Sequence, residues 1–139
     1  MGKGTRVVMA KGLDKHQHRI SQLNGFGKDL ARRARSHCEL CDVSGVKLNI
    51  FEVAPIPGEP DYDTCILICD TCSEQLNNPK RIDPDHWRCL NKSMWNEVSI
   101  VQVAAIRMIR LLAANHDWAA DLNDMAYLEP EVEERISQR

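Results

Sequence analysis

The chain has 139 residues, 43% of them apolar, with a net charge of −2. That is one domain with a core, and no stretch approaches ~18 apolar residues, so a membrane span is excluded. No apolar leader core follows Met1, so a soluble, non-exported, cytoplasmic protein with no membrane partner is expected. The small net charge hides an asymmetry: residues 1–47 carry ten Lys/Arg against four Asp/Glu, and residues 48–139 carry eight against sixteen.

In chain order, residues 1–13 lack periodicity and are expected to be a disordered N-terminus. Asp14 is a candidate N-cap for a helix from Lys15 to about Arg35, with Ile20, Leu23, Phe26 or Gly27, Leu30 and Ala34 near one face. Gly25 and Gly27 weaken that helix and are placed to break it in two. Arg32, Arg33 and Arg35 cluster at its end.

Next come Cys38-Glu39-Leu40-Cys41 and, with 27 residues between, Cys69-Asp70-Thr71-Cys72. A Cys-x-x-Cys turn presents two sulfurs at a separation that suits two corners of a tetrahedron. Two such turns complete a four-thiolate zinc site, one Zn²⁺ per chain on Cys38, Cys41, Cys69 and Cys72. With all four corners filled by protein, the site reads as structural and not catalytic. Disulfides, a redox Cys-x-x-Cys and an iron–sulfur cluster fit less well: there is no secretory signal and no βαβ pattern, and the paired spacing is that of zinc. Aromatics are few, at 5%, so the metal is expected to supply much of the folding free energy of the first half. Between the pairs, Leu48 to Val53 reads as a strand, ended by Pro55, Pro57, Gly58 and Pro60, and Thr64 to Ile68 as a second. Cys69 to Leu76 reads as a turn entering a short helix, stopped at Asn77-Asn78-Pro79.

Knuckle, β-hairpin, then a ligand pair at a helix start is a treble-clef zinc finger. The fold class expected is α+β, mostly helical, with this core over residues 35–80 packed against N- and C-terminal helices. Within it the three arginines have two readings: contact with phosphates, or compensation of the negative zinc–thiolate centre on a solvated helix face. The second is adopted. His16, His18 and His37 are not needed by the metal and are expected to be exposed.

Asp83 and Pro84 suggest one or two helical turns. His86-x-x-Cys89 with Cys65 invites a second metal site; the reading adopted instead buries Cys65 in its strand, with Cys89 and Trp87 packed beneath it. Ser99 to Asn115 carries the clearest helical period, with Ser99 and Gln102 as a capping box and Val98 and Val103 as a hydrophobic staple. Its wide stripe is core, or core plus an interface for a protein partner or a second copy. Trp118 to Tyr127 reads as a shorter helix with Trp118, Leu122 and Met125 on one face. Pro130 then opens an acidic tail or frayed helix, 129–139, after a single zinc-binding domain over 14–128.

The chain resembles the zinc-binding N-terminal region of the PhnA-like proteins, a family named after an alkylphosphonate-utilisation operon. The residues that carry this are Ala34 to Cys41, Phe51 to Pro55, Cys69 to Gln75, His86 to Asn91 and Ser93 to Val98. Relatives of this kind often continue into a small β-barrel, which this sequence does not contain, and the family name is no guide to phosphonate chemistry. The core also looks like a degenerate HNH nuclease. Such domains add a histidine on the hairpin, an asparagine before the second pair and a histidine just after it. Here those places hold Phe51-Glu52-Val53, Thr64 and Ser73, so the resemblance implies a shared scaffold without the base or ligand of that chemistry. The function expected is a non-enzymatic zinc module that binds a protein or itself through the 99–115 helix. The alternatives are nucleic-acid binding through Arg32, Arg33 and Arg35, and an HNH-like or carboxylate-based hydrolase using Glu52, Asp61, Asp63 and His86.

Overall fold

The computed structural model describes residues 3–138, with side chains from Asp14 onward. Helix α1 (Lys3–Gly25) is followed by α2 (Gly27–Ala34). The break expected at the two glycines is there, with Phe26 between the helices. Asp14, however, lies inside α1 and does not cap it. Of the expected disordered segment 1–13, Met1 and Gly2 lie outside the described residues, while the backbone from Lys3 is helical. Ile20 stays exposed at 43%, and burial on this face begins at Leu23 and is complete at Leu30.

Strands β1 (Leu48–Glu52) and β2 (Cys65–Cys69) pair antiparallel, with Leu48 opposite Cys69 and Glu52 opposite Cys65. All five residues of β2 are buried, so the strand is covered on both faces. Side chains alternate across a strand, which splits the core. Ile66 and Ile68 join Trp87, Leu90, Met94 and the C-terminal helices, whereas Cys65 and Leu67 turn to Leu30. Cys65 is therefore buried as expected, but Cys89 and Trp87 do not pack beneath it: they lie on the other side of the sheet.

Helix α3 (Asp70–Asn77) starts directly from β2. Short 3₁₀ turns at Pro79–Arg81 and His86–Cys89 lead into α4 (Leu90–Ser93). Helix α5 (Ser99–Ala113) then runs through the middle of the core, followed by α6 (Asp117–Met125) and α7 (Pro130–Ser137). Nine of the fifteen α5 residues are buried, from Ile100 to Leu112. At ~1.5–3 kcal/mol for each large apolar side chain removed from water, α5 dominates the burial energy of this half. Its stripe is used internally, against α6, α7 and the hairpin, and of its large apolar residues only Leu111 stays exposed. The apolar stripe of this helix is thus covered by the chain itself.

The start of α5 also differs from expectation. Val98 is the N-cap and Ser99 the first helical residue, so no capping box forms. The Asn96 side chain accepts from Val98 N–H at 2.8 Å, the Gln102 amide donates to Met94 C=O, and Ser99 Oγ accepts from Arg135. At the end of α6, Met125 is 63% exposed instead of joining Trp118 and Leu122 against the core.

Helix α7 is docked and not frayed. Val132 and Ile136 are buried against the core, and Arg107 of α5 donates to the carbonyls of Arg135, Ile136 and Gln138 at its C-terminus, where helix carbonyls lack partners. Glu133 accepts a hydrogen bond of 3.0 Å from Arg110, whose second terminal nitrogen lies 2.9 Å from the other carboxylate oxygen. This ion pair holds its carboxyl below the ordinary value of 4.5. A depressed folded-state value adds stability above the unfolded pKa and loses it as pH falls through the folded one. Glu133→Gln is therefore expected to lower the melting temperature at neutral pH, with the gap to wild type closing in acid below pH ~4.5. Melting curves across that range check this; a gap that persists in acid would assign the loss to packing.

Candidate metal centre

The first ligand pair sits in a knuckle. Cys38 N–H donates to Val43 C=O and Asp42 N–H to Cys38 C=O, each at 2.8 Å. The tight return needs positive φ at Asp42 (70°) and Gly45 (72°). Glycine meets that requirement without a Cβ penalty, and aspartate is one of the few other residues that tolerate it.

The knuckle is fixed to the sheet by Glu39, whose N–H donates to Leu67 C=O and whose carboxylate accepts from Leu67 N–H at 2.9 Å. Glu39 is 8% exposed, and its charge is met by Arg33 through two bonds of 2.7 and 3.0 Å. Arg33 also donates to Cys65 C=O and lies 5.1 Å from the Tyr62 ring centroid. The expected arginine cluster is consequently divided. Arg33 is a half-buried bolt between α2, the knuckle and β2; Arg32 is exposed and 3.8 Å from Asp29; Arg35 is exposed and left-handed at the end of α2. What Arg33 offsets is Glu39.

The second pair sits at the start of α3. Cys69 is its N-cap, and its sulfur accepts from Cys72 N–H at 3.5 Å, as Cys38 Sγ accepts from Cys41 N–H at 3.4 Å. A helix N-terminus and backbone donors both favour a thiolate.

The hairpin brings the two pairs together. Cys38 Sγ is 3.7 Å from Cys72 Sγ, Cys41 Sγ is 3.6 Å from Cys69 Sγ, and all four sulfurs lie within 4.8 Å of one another. Disulfide sulfurs bond at ~2.05 Å, so these are free thiols. Corners of a tetrahedron with metal–sulfur bonds of ~2.3 Å stand about 3.8 Å apart, close to the 3.7 and 3.6 Å of the Cys38–Cys72 and Cys41–Cys69 pairs. The four cysteines form a set that could hold a metal ion.

Their protons are shared unequally. Cys38 is pushed down to about 4, chiefly by its side-chain hydrogen bond with Cys72, with help from backbone N–H groups. Cys72 is pushed up by the same bond, by burial and by the charge of its three neighbours, and burial takes Cys41 up to about 12. Four thiolates at this spacing are tolerable only around a cation, so metal binding here releases protons.

Among the described residues this is the one cluster of His, Cys, Asp and Glu with metal-holding geometry. Cys65, His86 and Cys89 form no second one. The carboxylates of the hydrolase reading are also engaged separately. Glu52 takes a two-bond ion pair from Arg19, at 2.6 and 3.2 Å, and Arg19 also donates to the carbonyls of Pro57 and Gly58. Asp61 caps the turn at Tyr62–Thr64 by accepting from Asp63 N–H. His16 and His18 are exposed, while His37 is half-buried and bonded to Asp42.

Reasoning from sequence missed three residues around the centre. Glu39 and Arg33 were legible only as members of a knuckle and a basic run. His86, 14 residues after Cys72, places Nε2 3.2 Å from Cys72 Sγ. Compared with protein-family models, curated proteins and solved structures, the chain matches none. Of the described helices, none is long and apolar enough to cross a membrane.

Proposed function

We propose that this protein is a non-enzymatic zinc module of the PhnA-like kind, built on a treble clef whose four cysteines hold one structural Zn²⁺. The observation that carries the reading is the pair of 3.6–3.7 Å sulfur separations at the junction of knuckle, hairpin and helix. All-thiolate, four-coordinate donor sets of this shape favour zinc. The cysteines are also part of the main core: Cys38, Cys69 and Cys72 pack in the same cluster as Trp87, Ile100 and Ile109. A metal here ties the N-terminal half to the C-terminal helices. Against catalysis stand the Arg19 clamp on Glu52 and the separation of Asp61 and Asp63 from the thiolates. A protein partner or a second copy would meet a surface other than the α5 stripe, and a nucleic acid would find only Arg32 and Arg35 of the three arginines.

Elemental analysis of purified protein is expected to give one zinc per chain. The same preparation, supplied with Mg²⁺, Mn²⁺ or Ni²⁺, is expected to leave DNA and RNA intact. Two metals per chain, or cleavage that disappears in Glu52→Ala, would overturn the reading and make the protein a hydrolase.

A further inference from the structure

Beside the four sulfurs stands an imidazole that the metal site does not require. His86 Nε2 lies 3.2 Å from Cys72 Sγ. It does not belong to the set whose ligand atoms all fall within 4.8 Å of each other. A fifth ligand, with bonds of ~2.0 Å for nitrogen and ~2.3 Å for sulfur, would sit within about 4.3 Å of every sulfur. His86 is therefore outside the coordination sphere and against one ligand only.

Its place is fixed from α3. The Gln75 side-chain oxygen accepts from both Trp87 Nε1–H (2.7 Å) and Asp83 N–H (2.8 Å). Gln75 is 8% exposed and Trp87 fully buried, so this fork pins the 83–87 turn over the metal-binding helix. The Trp87 ring then stands edge-on to the imidazole, with centroids 5.0 Å apart. Such a fixed group beside a metal ligand is how proteins tune a centre without joining it.

We propose that His86 is a positioning residue of the metal centre, donating its Nε2–H to the metal-bound Cys72 thiolate and slowing metal release. The inference rests on the metal reading above. A hydrogen bond to a thiolate draws charge from a centre that is −2 with zinc, and it disfavours protonation of that sulfur, the step that precedes ligand loss. It also makes Cys72 chemically unlike the other three ligands.

The test compares wild type with His86→Phe, which keeps a ring against Trp87 but has no donor, and with His86→Gln, whose side-chain amide restores an N–H. Zinc release to a chromophoric chelator is expected to be about 10-fold faster or more in His86→Phe, with partial recovery in His86→Gln. In Co²⁺-loaded protein the sulfur-to-metal charge-transfer band should shift in His86→Phe with tetrahedral bands retained. Equal release rates and spectra would overturn the inference alone. Absence of metal from a folded His86→Phe would overturn it in favour of direct ligation. If His86→Phe does not fold, nitrogen NMR of wild type decides: a proton on Nε2 supports the inference, and a bare Nε2 facing Cys72 defeats it. A wild type without metal defeats the metal reading and this inference with it.

Discussion

Cys69→Ala is expected to lose its metal and, with it, the cooperative fold of residues 35–80. Structural zinc sites bind with apparent free energies of ~10–16 kcal/mol, while whole domains are stable by only ~5–15 kcal/mol. Losing the first exhausts the second. The damage should extend past the knuckle, because three of the four ligands are buried in the cluster that holds Trp87, Met94 and α5. Cys38→Ala, Cys41→Ala and Cys72→Ala are expected to behave alike, whereas Cys65→Ala and Cys89→Ala keep the metal. Metal content by mass spectrometry and thermal melts followed by circular dichroism check this. A Cys69→Ala protein that retains one metal and melts like wild type would refute the ligand assignment.

The second large effect is expected at Glu39. Its side chain is 3% exposed and that of Arg33 14%. Removing one member of a buried pair costs ~3–5 kcal/mol, because the other charge is left without its partner. Arg33 retains Cys65 C=O and some solvent, which puts Glu39→Ala near the lower end, about 3 kcal/mol. The variant also strips Leu67 N–H of its acceptor and frees the knuckle from β2. Glu39→Gln keeps an acceptor for Leu67 and should cost less. Urea unfolding of the metal-loaded proteins measures both, and a Glu39→Ala midpoint equal to that of wild type would sink the argument. One corollary concerns binding assays: neutralising Arg32, Arg33 and Arg35 together unsettles the fold through Arg33, so weakened nucleic-acid binding by that triple variant would not by itself mark a phosphate contact.

Much of the fold was legible in the chain, for a reason specific to each element. The ligand pairs carry fixed spacing, the strands are bounded by prolines and glycines, and α5 repeats its apolar residues over four turns. What escaped depends on distant partners. Ser99 looked like a cap because the sequence offers Gln102 three residues on; the structure gives that serine to Arg135, 36 residues away. The acidic residues of 129–139 suggested fraying, yet Val132 and Ile136 are enough to dock α7. His86 was visible only as a member of a rejected second metal site and of the alternative hydrolase set, since nothing local reports that the Gln75–Trp87 fork swings it onto Cys72. Arg33 shows the same limit: three neighbouring arginines share a composition but not an environment.

The burial of α5 has a consequence for biosynthesis. The elements that cover it, α6 and α7, come after it in the chain. A ribosome delivering ~5–20 residues per second needs about 1–5 s to make residues 114–137. Until those residues are made, the part of the Ile100–Leu112 surface that α6 and α7 bury has no cover, even where the earlier hairpin and Trp87 cluster already pack on the rest. Docking of α5 against its C-terminal cover therefore waits until α7 itself has been made, and a chain interrupted before that point leaves a bare apolar helix face of the kind chaperones recognise.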